Sequence, residues 1–254
     1  MMKKILIACE ESQSVCKEFR NLGHEAYSAD IQEESGGHPE WHIKGDCLPL
    51  LNGNCKFKTM DNVEHQIDGK WDMIIAFPPC THLAVSGARH FEKKRLDGRQ
   101  REGIEFFCKF FEADCDHISI ENLVNIISGD YIPMWFPDLA KKYNLPRKPS
   151  QIIQPYYFGD PQRKTTCLWL KGLPNLQKTD VVSPNLVSYI CKNGEKVTFS
   201  EFYVKGFDGD RSKHRSKTFP GVAQAMANQW GKNIFEKEFA GQISIFDILN
   251  DEIV

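Results

Sequence analysis

The sequence predicts a Rossmann-like α/β fold with a mostly parallel sheet and a small insertion, and three observations predict it. Short apolar, β-favouring runs alternate with helical periodicity over most of the chain. Several of those runs end on an acidic residue, where nucleotide-binding sheets hold their ligands. A chain of 254 residues with 41% hydrophobic content can bury one sizeable core.

The elements follow in order. Residues 3 to 8 (KKILIA) form an apolar run, and CEESQSVCKEFRNLGH reads as a loop entering an amphipathic helix that stops at Gly23. The next strand, HEAYSADI, ends on Asp30, an acid placed to accept hydrogen bonds from ribose hydroxyls. Residues 32 to 45 read as a Gly-, Glu- and His-rich loop, and GDCLPLL supplies a second candidate strand-end acid, Asp46. WDMIIAFPPC is an apolar strand running into a stiff turn, 97 to 112 has helical periodicity, and HISIENL is a further strand with an acidic end. IIQPYYFGD and KTTCLWLKGLP read as two strands joined by a loop, residues 172 to 210 show little periodicity, and FPGVAQAMANQW is a helix with Pro220 at its start. The expected division is a catalytic core over 1–171, a small variable insertion over 172–210, the core's C-terminal part over 211–236 and a tail over 237–254.

The formal net charge of -2 gives no global pull toward nucleic acid, so a polyanion must meet a local basic surface. The nine cysteines are scattered, odd in number and lack a CxxC pair. With no signal-peptide pattern and no apolar run of membrane-spanning length, free thiols in a reducing cytoplasm are expected. Histidines lack ligand-like spacing apart from His38 and His42, so no metal is expected.

Three segments can carry chemistry. Pro78-Pro79-Cys80 follows a buried strand and precedes Ser86-Gly87, so two prolines stiffen a loop bearing a thiol at the sheet edge. A thiolate there could add to carbon 6 of a cytosine and turn the ring into an enamine that attacks a sulfonium methyl. A tight turn around a buried cysteine would have the same sequence. Glu121-Asn122 ends another strand, where a carboxyl could grip the N3 edge of a turned-out cytosine or merely cap a helix. Gly159-Asp160-Pro161-Gln162-Arg163-Lys164 offers a cation before a strand, or a solvated turn.

In this order, the three resemble the DNA cytosine-5 methyltransferases, and more closely their short, divergent, phage-type members. The likeness runs through ILIACEESQ, FPPCTHLAVSG, SIENL, FGDPQRKTTCLWL and RSKTFPGVAQAMANQW. It implies an S-adenosylmethionine-dependent methyltransferase fold, with Cys80 as nucleophile, Glu121 on N3, Asn122 supporting the Pro-Cys loop, and Arg163 or Lys164 as the assisting cation. The resemblance places S-adenosyl-L-methionine against Ala8, Cys9, Glu10, Asp30, Ile31, Asp46, Cys47, Pro78, Ser216 and Thr218, with Asp30 on the ribose and Asp46 at the adenine edge. Two departures stand out. The family's FxGxG loop is here Ala8-Cys9-Glu10-Glu11-Ser12, so the methionine end must be held differently, and QxRxR becomes Gln162-Arg163-Lys164-Thr165-Thr166.

Only about 45 residues separate Arg163 from Arg211, little material for base readout. Ser86, Arg89, Lys93 and Arg95 beside the Pro-Cys loop, and Arg211, Lys213 and Arg215 near the closing motif, are the expected DNA contacts. A short recognised site, low specificity or a surface borrowed from a second subunit would each fit. Gln242-Ile243-Ser244-Ile245-Phe246 is similar to peptides that dock on the bacterial sliding clamp. Two other readings stay open: a catalytically degenerate DNA- or clamp-binding protein on the same fold, and a transferase acting on a free pyrimidine nucleotide.

Overall fold

The computed structural model describes residues 2–146, 148–201 and 216–232. Its centre is a seven-stranded sheet built from Lys4–Ala8 (β1), Glu25–Asp30 (β2), His42–Lys44 (β3), Met73–Ala76 (β6), Ile118–Leu123 (β7), Gln151–Ile153 (β8) and Thr166–Lys171 (β9). The spatial order is β3-β2-β1-β6-β7-β9-β8. Neighbours from β3 through β7 pair in parallel, while β9 runs antiparallel to both β7 and β8. Two hairpins stand apart: Cys55–Lys58 (β4) with Glu64–Ile67 (β5), and Leu186–Ile190 (β10) with Lys196–Ser200 (β11).

Both faces of the sheet are covered, which is why the central strands are continuously apolar rather than alternating. Ile5 and Ile7 of β1, with Met73 and Ile75 of β6, pack with helix α1 (Ser14–Asn21) and helix α6 (Pro220–Met226). Leu6, Ala8, Ile74 and Ala76 point the other way, into the cluster holding Ile104, Phe107, Cys108 and Phe110 of helix α3 (Arg99–Glu112). The period-2 alternation of side chains thus feeds two cores from the same strands. Each fully buried side chain of this kind stabilises the fold by roughly 1.5–3 kcal/mol. Among the described residues the remaining α-helices are Phe91–Leu96 (α2), Tyr131–Trp135 (α4) and Pro137–Tyr143 (α5), and α6 continues into a π-helical turn, Ala227–Lys232. Gly221 lets α6 dock: a Cβ there would meet the Phe158 carbonyl oxygen at 1.8 Å, and its N–H donates to Asp160 at 2.8 Å.

The expected α/β class holds, with local corrections. The third strand is His42–Lys44, inside the stretch read as a loop, because the buried His42 bonds Ser28 on β2 at 2.8 Å. GDCLPLL contributes a single 3-10 turn, Leu48–Leu50, so Asp46 follows a strand rather than ending one. Helix α3 starts at Arg99, since Gly98 takes a left-handed conformation (φ 84°) before it. Residues 172 to 210 contain the β10–β11 hairpin, whose largely exposed residues give no apolar period. No helix among the described residues is long and apolar enough to cross a membrane.

Candidate active site

The chain reverses its direction of build between β1 and β6, because β1 pairs with β2 on one side and β6 on the other. A parallel sheet opens a crevice at such a point, outside the carboxyl ends of its strands. The loops after β1, β2, β6 and β7 all emerge at that rim. Because β9 is antiparallel, its first residue, Thr166, pairs with Leu123 at the end of β7. Lys164 therefore arrives beside Glu121.

On the β6–β7 side, the Pro78–Cys80 turn is fixed from several directions. The buried Asn122 amide donates to the Pro78 carbonyl at 2.8 Å. The Leu83 and Ala84 N–H groups donate to the Cys80 carbonyl at 3.0 and 2.8 Å, and Lys94 donates to the Thr81 carbonyl at 2.5 Å. Leu83, Ala84 and Val85 are then tied to the segment after β7 by a bridge and two backbone bonds. The Cys80 side chain is neither sealed in nor fully open. Burial pushes its thiol up and the Glu121 carboxylate adds to that, while Lys164 and Lys94 oppose. Burial likewise pushes Glu121 up, against the Lys164 cation and a hydrogen bond from Thr166. The Cys80 thiol thus lies within electrostatic reach of one carboxyl and two ammonium groups at a partly desolvated rim. Glu121, Lys164, Thr166, Thr218 and Phe219 line one narrow cavity, which brings the closing motif to the carboxyl.

The β1–β2 side is organised differently. Cys9 and Gln13 adopt left-handed backbones (φ 60° and 57°), bending the loop sharply over the strand end. Glu10 is buried and accepts from the Val15 and Cys16 N–H groups at 2.6 and 3.2 Å, so its carboxylate occupies the N-terminus of α1. Burial, only partly offset by those bonds, pushes it up to about 7. Glu11 accepts from Ser35, which also meets Lys217 at 3.2 Å. Gln13 is fully buried, bonding the His38 backbone through both ends of its amide.

These residues fit an adenosine-bearing cation better than a phosphate-bearing nucleotide. A pyrophosphate would need the helix N-terminus that Glu10 already fills. Asp30 stands at the end of β2, bonded to the Gln32 N–H at 2.9 Å. Beside it Ile31 is 76% exposed, a bare apolar surface suited to a purine face. Asp46 is exposed and bonds the Leu48 N–H at 3.0 Å. Ala8, Cys47 and Pro78 are buried around the same rim, and the Cys9 and Cys47 sulfurs lie 3.8 Å apart. Asp30, Ile31 and Asp46 thus stand at the rim where the sequence places the nucleoside.

Other expected residues are not brought together with these. The Arg163 guanidinium donates to the Thr198 carbonyl of the β10–β11 hairpin at 3.2 Å, leaving Lys164 as the cation at Glu121. Arg95 bonds the Tyr131 hydroxyl at 2.6 Å and lies 3.9 Å from the Trp135 ring centroid, so it serves packing as well as charge. Ser86, Arg89 and Lys93 are exposed, and Ser216 is exposed next to Lys217. Arg211, Lys213, Arg215 and Gln242 to Phe246 lie outside the described residues. His38 stacks on Trp41, and no metal-holding group of residues occurs among those described. Sequence reading missed Gln13, Thr166 and above all Lys94, which sat inside a run taken as phosphate-facing. Its spacing from Phe91, one helical turn away, carried the signal: these two are the buried residues of α2.

No family model matches the chain, and no curated protein matches it. Among solved structures, one provisionally described as a DNA modification methyltransferase encoded within a prophage (E. coli) aligns at 14% identity with a TM-score of 0.44. The alignment covers 70% of this chain and 51% of that one, so the chain spans about half of that neighbour's length.

Proposed function

We propose that the protein is an S-adenosylmethionine-dependent DNA cytosine-5 methyltransferase that works through a covalent Cys80 adduct. The observation that carries this reading is the meeting of two strand ends at one rim, where the Asn122 amide donates to the Pro78 carbonyl at 2.8 Å and Glu121 and Lys164 line one narrow cavity. A bare turn around a cysteine does not need a half-buried carboxyl and a buried lysine beside it. Both groups are costly to desolvate, and such pairs concentrate where proton transfer is required.

The residues have consistent roles. The Cys80 thiolate adds to carbon 6 of a turned-out cytosine, and the electron pair moves toward N3. Glu121, with its carboxyl pushed toward the neutral form, supplies a proton at N3 and receives it back later. Lys164, buried against the Phe219 ring, balances the negative charge that builds on the pyrimidine. The bound cofactor contributes an electrophilic methyl group for carbon 5. Loss of the carbon-5 proton then expels the thiolate, so the enzyme is regenerated without net oxidation. The exposed Ser86 and Arg89 after the Cys80 turn, and Lys93 on α2, suit phosphate contacts. The 172–210 segment, carrying the β10–β11 hairpin that Arg163 grips, is the natural place for base readout.

Bisulfite sequencing of DNA from cells expressing the protein tests the reading. Protected cytosines in a fixed context, absent with Cys80→Ala, are expected. Wild-type DNA with no protected cytosine, from cells that contain folded protein, would favour the degenerate DNA-binding reading. Activity on dCMP alone would favour the free-nucleotide reading.

A further inference from the structure

We propose that Lys94 is a positioning residue for the reacting thiol, anchoring the Cys80 turn from beneath and setting a cation in its surroundings. Lys94 is only 8% exposed, although lysine is among the residues least often buried. Its ammonium donates at 2.5 Å to the carbonyl of Thr81, the residue next to Cys80. It lies 3.5 Å from where a Cβ on Gly87 would stand, so the chain after the Cys80 turn packs over the ammonium. A cation this desolvated is retained only where something compensates it, and here one backbone carbonyl does so in a strongly interacting environment.

The placement answers a gap in the site. The thiol faces one anion, Glu121 from β7, and two cations, Lys164 before β9 and Lys94 from α2. Burial and Glu121 oppose ionisation of Cys80, and the two lysines favour it. Arg163 is turned to the hairpin, so Lys164 alone would have to serve both the carboxyl and the sulfur. Lys94 adds a second cation there, fixed by the Thr81 carbonyl one residue from the sulfur's own. The proposal rests on Cys80 being the reacting thiol, and it says how that thiol is made available.

Alkylation of Cys80 by iodoacetamide, followed at the peptide level across pH, tests this without DNA or cofactor. Lys94→Gln keeps a donor for the Thr81 carbonyl but removes the charge, so its alkylation midpoint is expected to rise by about one pH unit, roughly tenfold slower reaction below the midpoint. Lys94→Arg is expected to follow the native profile, as is the exposed control Lys93→Gln. Native profiles for both Lys94 variants, or equal shifts in both, would overturn the proposal. If the Lys94-dependent shift is found but DNA is never methylated, the positioning role stands and the methyltransferase reading fails.

Discussion

The two halves of the sheet's carboxyl rim use acidic side chains in opposite ways. On the β1–β2 side, Glu10 and Glu11 are spent on the chain itself, one on the α1 N-terminus and the other on Ser35. On the β6–β7 side, Glu121 is left facing a thiol and a lysine. The first arrangement stabilises a shape and leaves Asp30, Asp46 and the exposed Ile31 side chain at the rim. The second leaves proton-carrying groups in reserve. The difference teaches that, on the proposed reading, binding and chemistry are separable, one at each side of the β1–β6 junction.

Replacing Glu121 by Gln is the strongest way to break the comparison. Turnover is expected to fall by about 10²–10⁴ while DNA binding persists. The sign for Cys80 is opposite: removing the anion that pushes the thiol up lets it ionise at lower pH, so alkylation of Cys80 should quicken. Methylation rates and iodoacetamide kinetics on one preparation check both.

Glu10 gives the contrasting test on the other side. Its folded carboxyl is pushed up to about 7, so the folded protein holds a proton that the unfolded chain has already released. Stability should therefore fall as pH rises from the ordinary carboxylate range to about 7, and level off beyond. The loss is about 3 kcal/mol at most. Urea unfolding at several pH values checks it, and Glu10→Gln should flatten the dependence. Asp30→Ala sharpens the division by weakening S-adenosylmethionine binding about ten- to a hundredfold, measured calorimetrically, with Cys80 alkylation unchanged. The smallest effect belongs to Arg101→Ala. Its bidentate pair with Asp138 is exposed, so thermal unfolding should show less than about 1 kcal/mol and activity should not change.

Much of the frame could be read from the chain. The apolar runs at β1, β6 and β7 are long enough to declare themselves, and each ends at a residue of the site. Strand β3 was hidden because three residues, two of them His42 and Lys44, carry no usable period; a side-chain bond to Ser28 holds it instead. Cys80, Glu121 and Asn122 were legible as candidates because each stands at or just past the end of an apolar run. Lys94 was not, since a buried lysine and a solvated one differ only in what lies above them. Arg163 and Lys164 could not be ranked from sequence, because the choice depends on a hairpin more than thirty residues further along the chain, which draws Arg163 away.

The central claim is that Cys80 bonds covalently to cytosine, and DNA carrying 5-fluorocytosine in place of the target tests it most directly. Fluorine at carbon 5 cannot leave as a proton would, so the adduct should persist. Intact-mass analysis with S-adenosylmethionine present should then show protein, DNA and one methyl group joined through the Cys80 peptide, and nothing joined with Cys80→Ala. Folded, cofactor-binding protein that methylates ordinary DNA yet never forms this adduct would contradict the account.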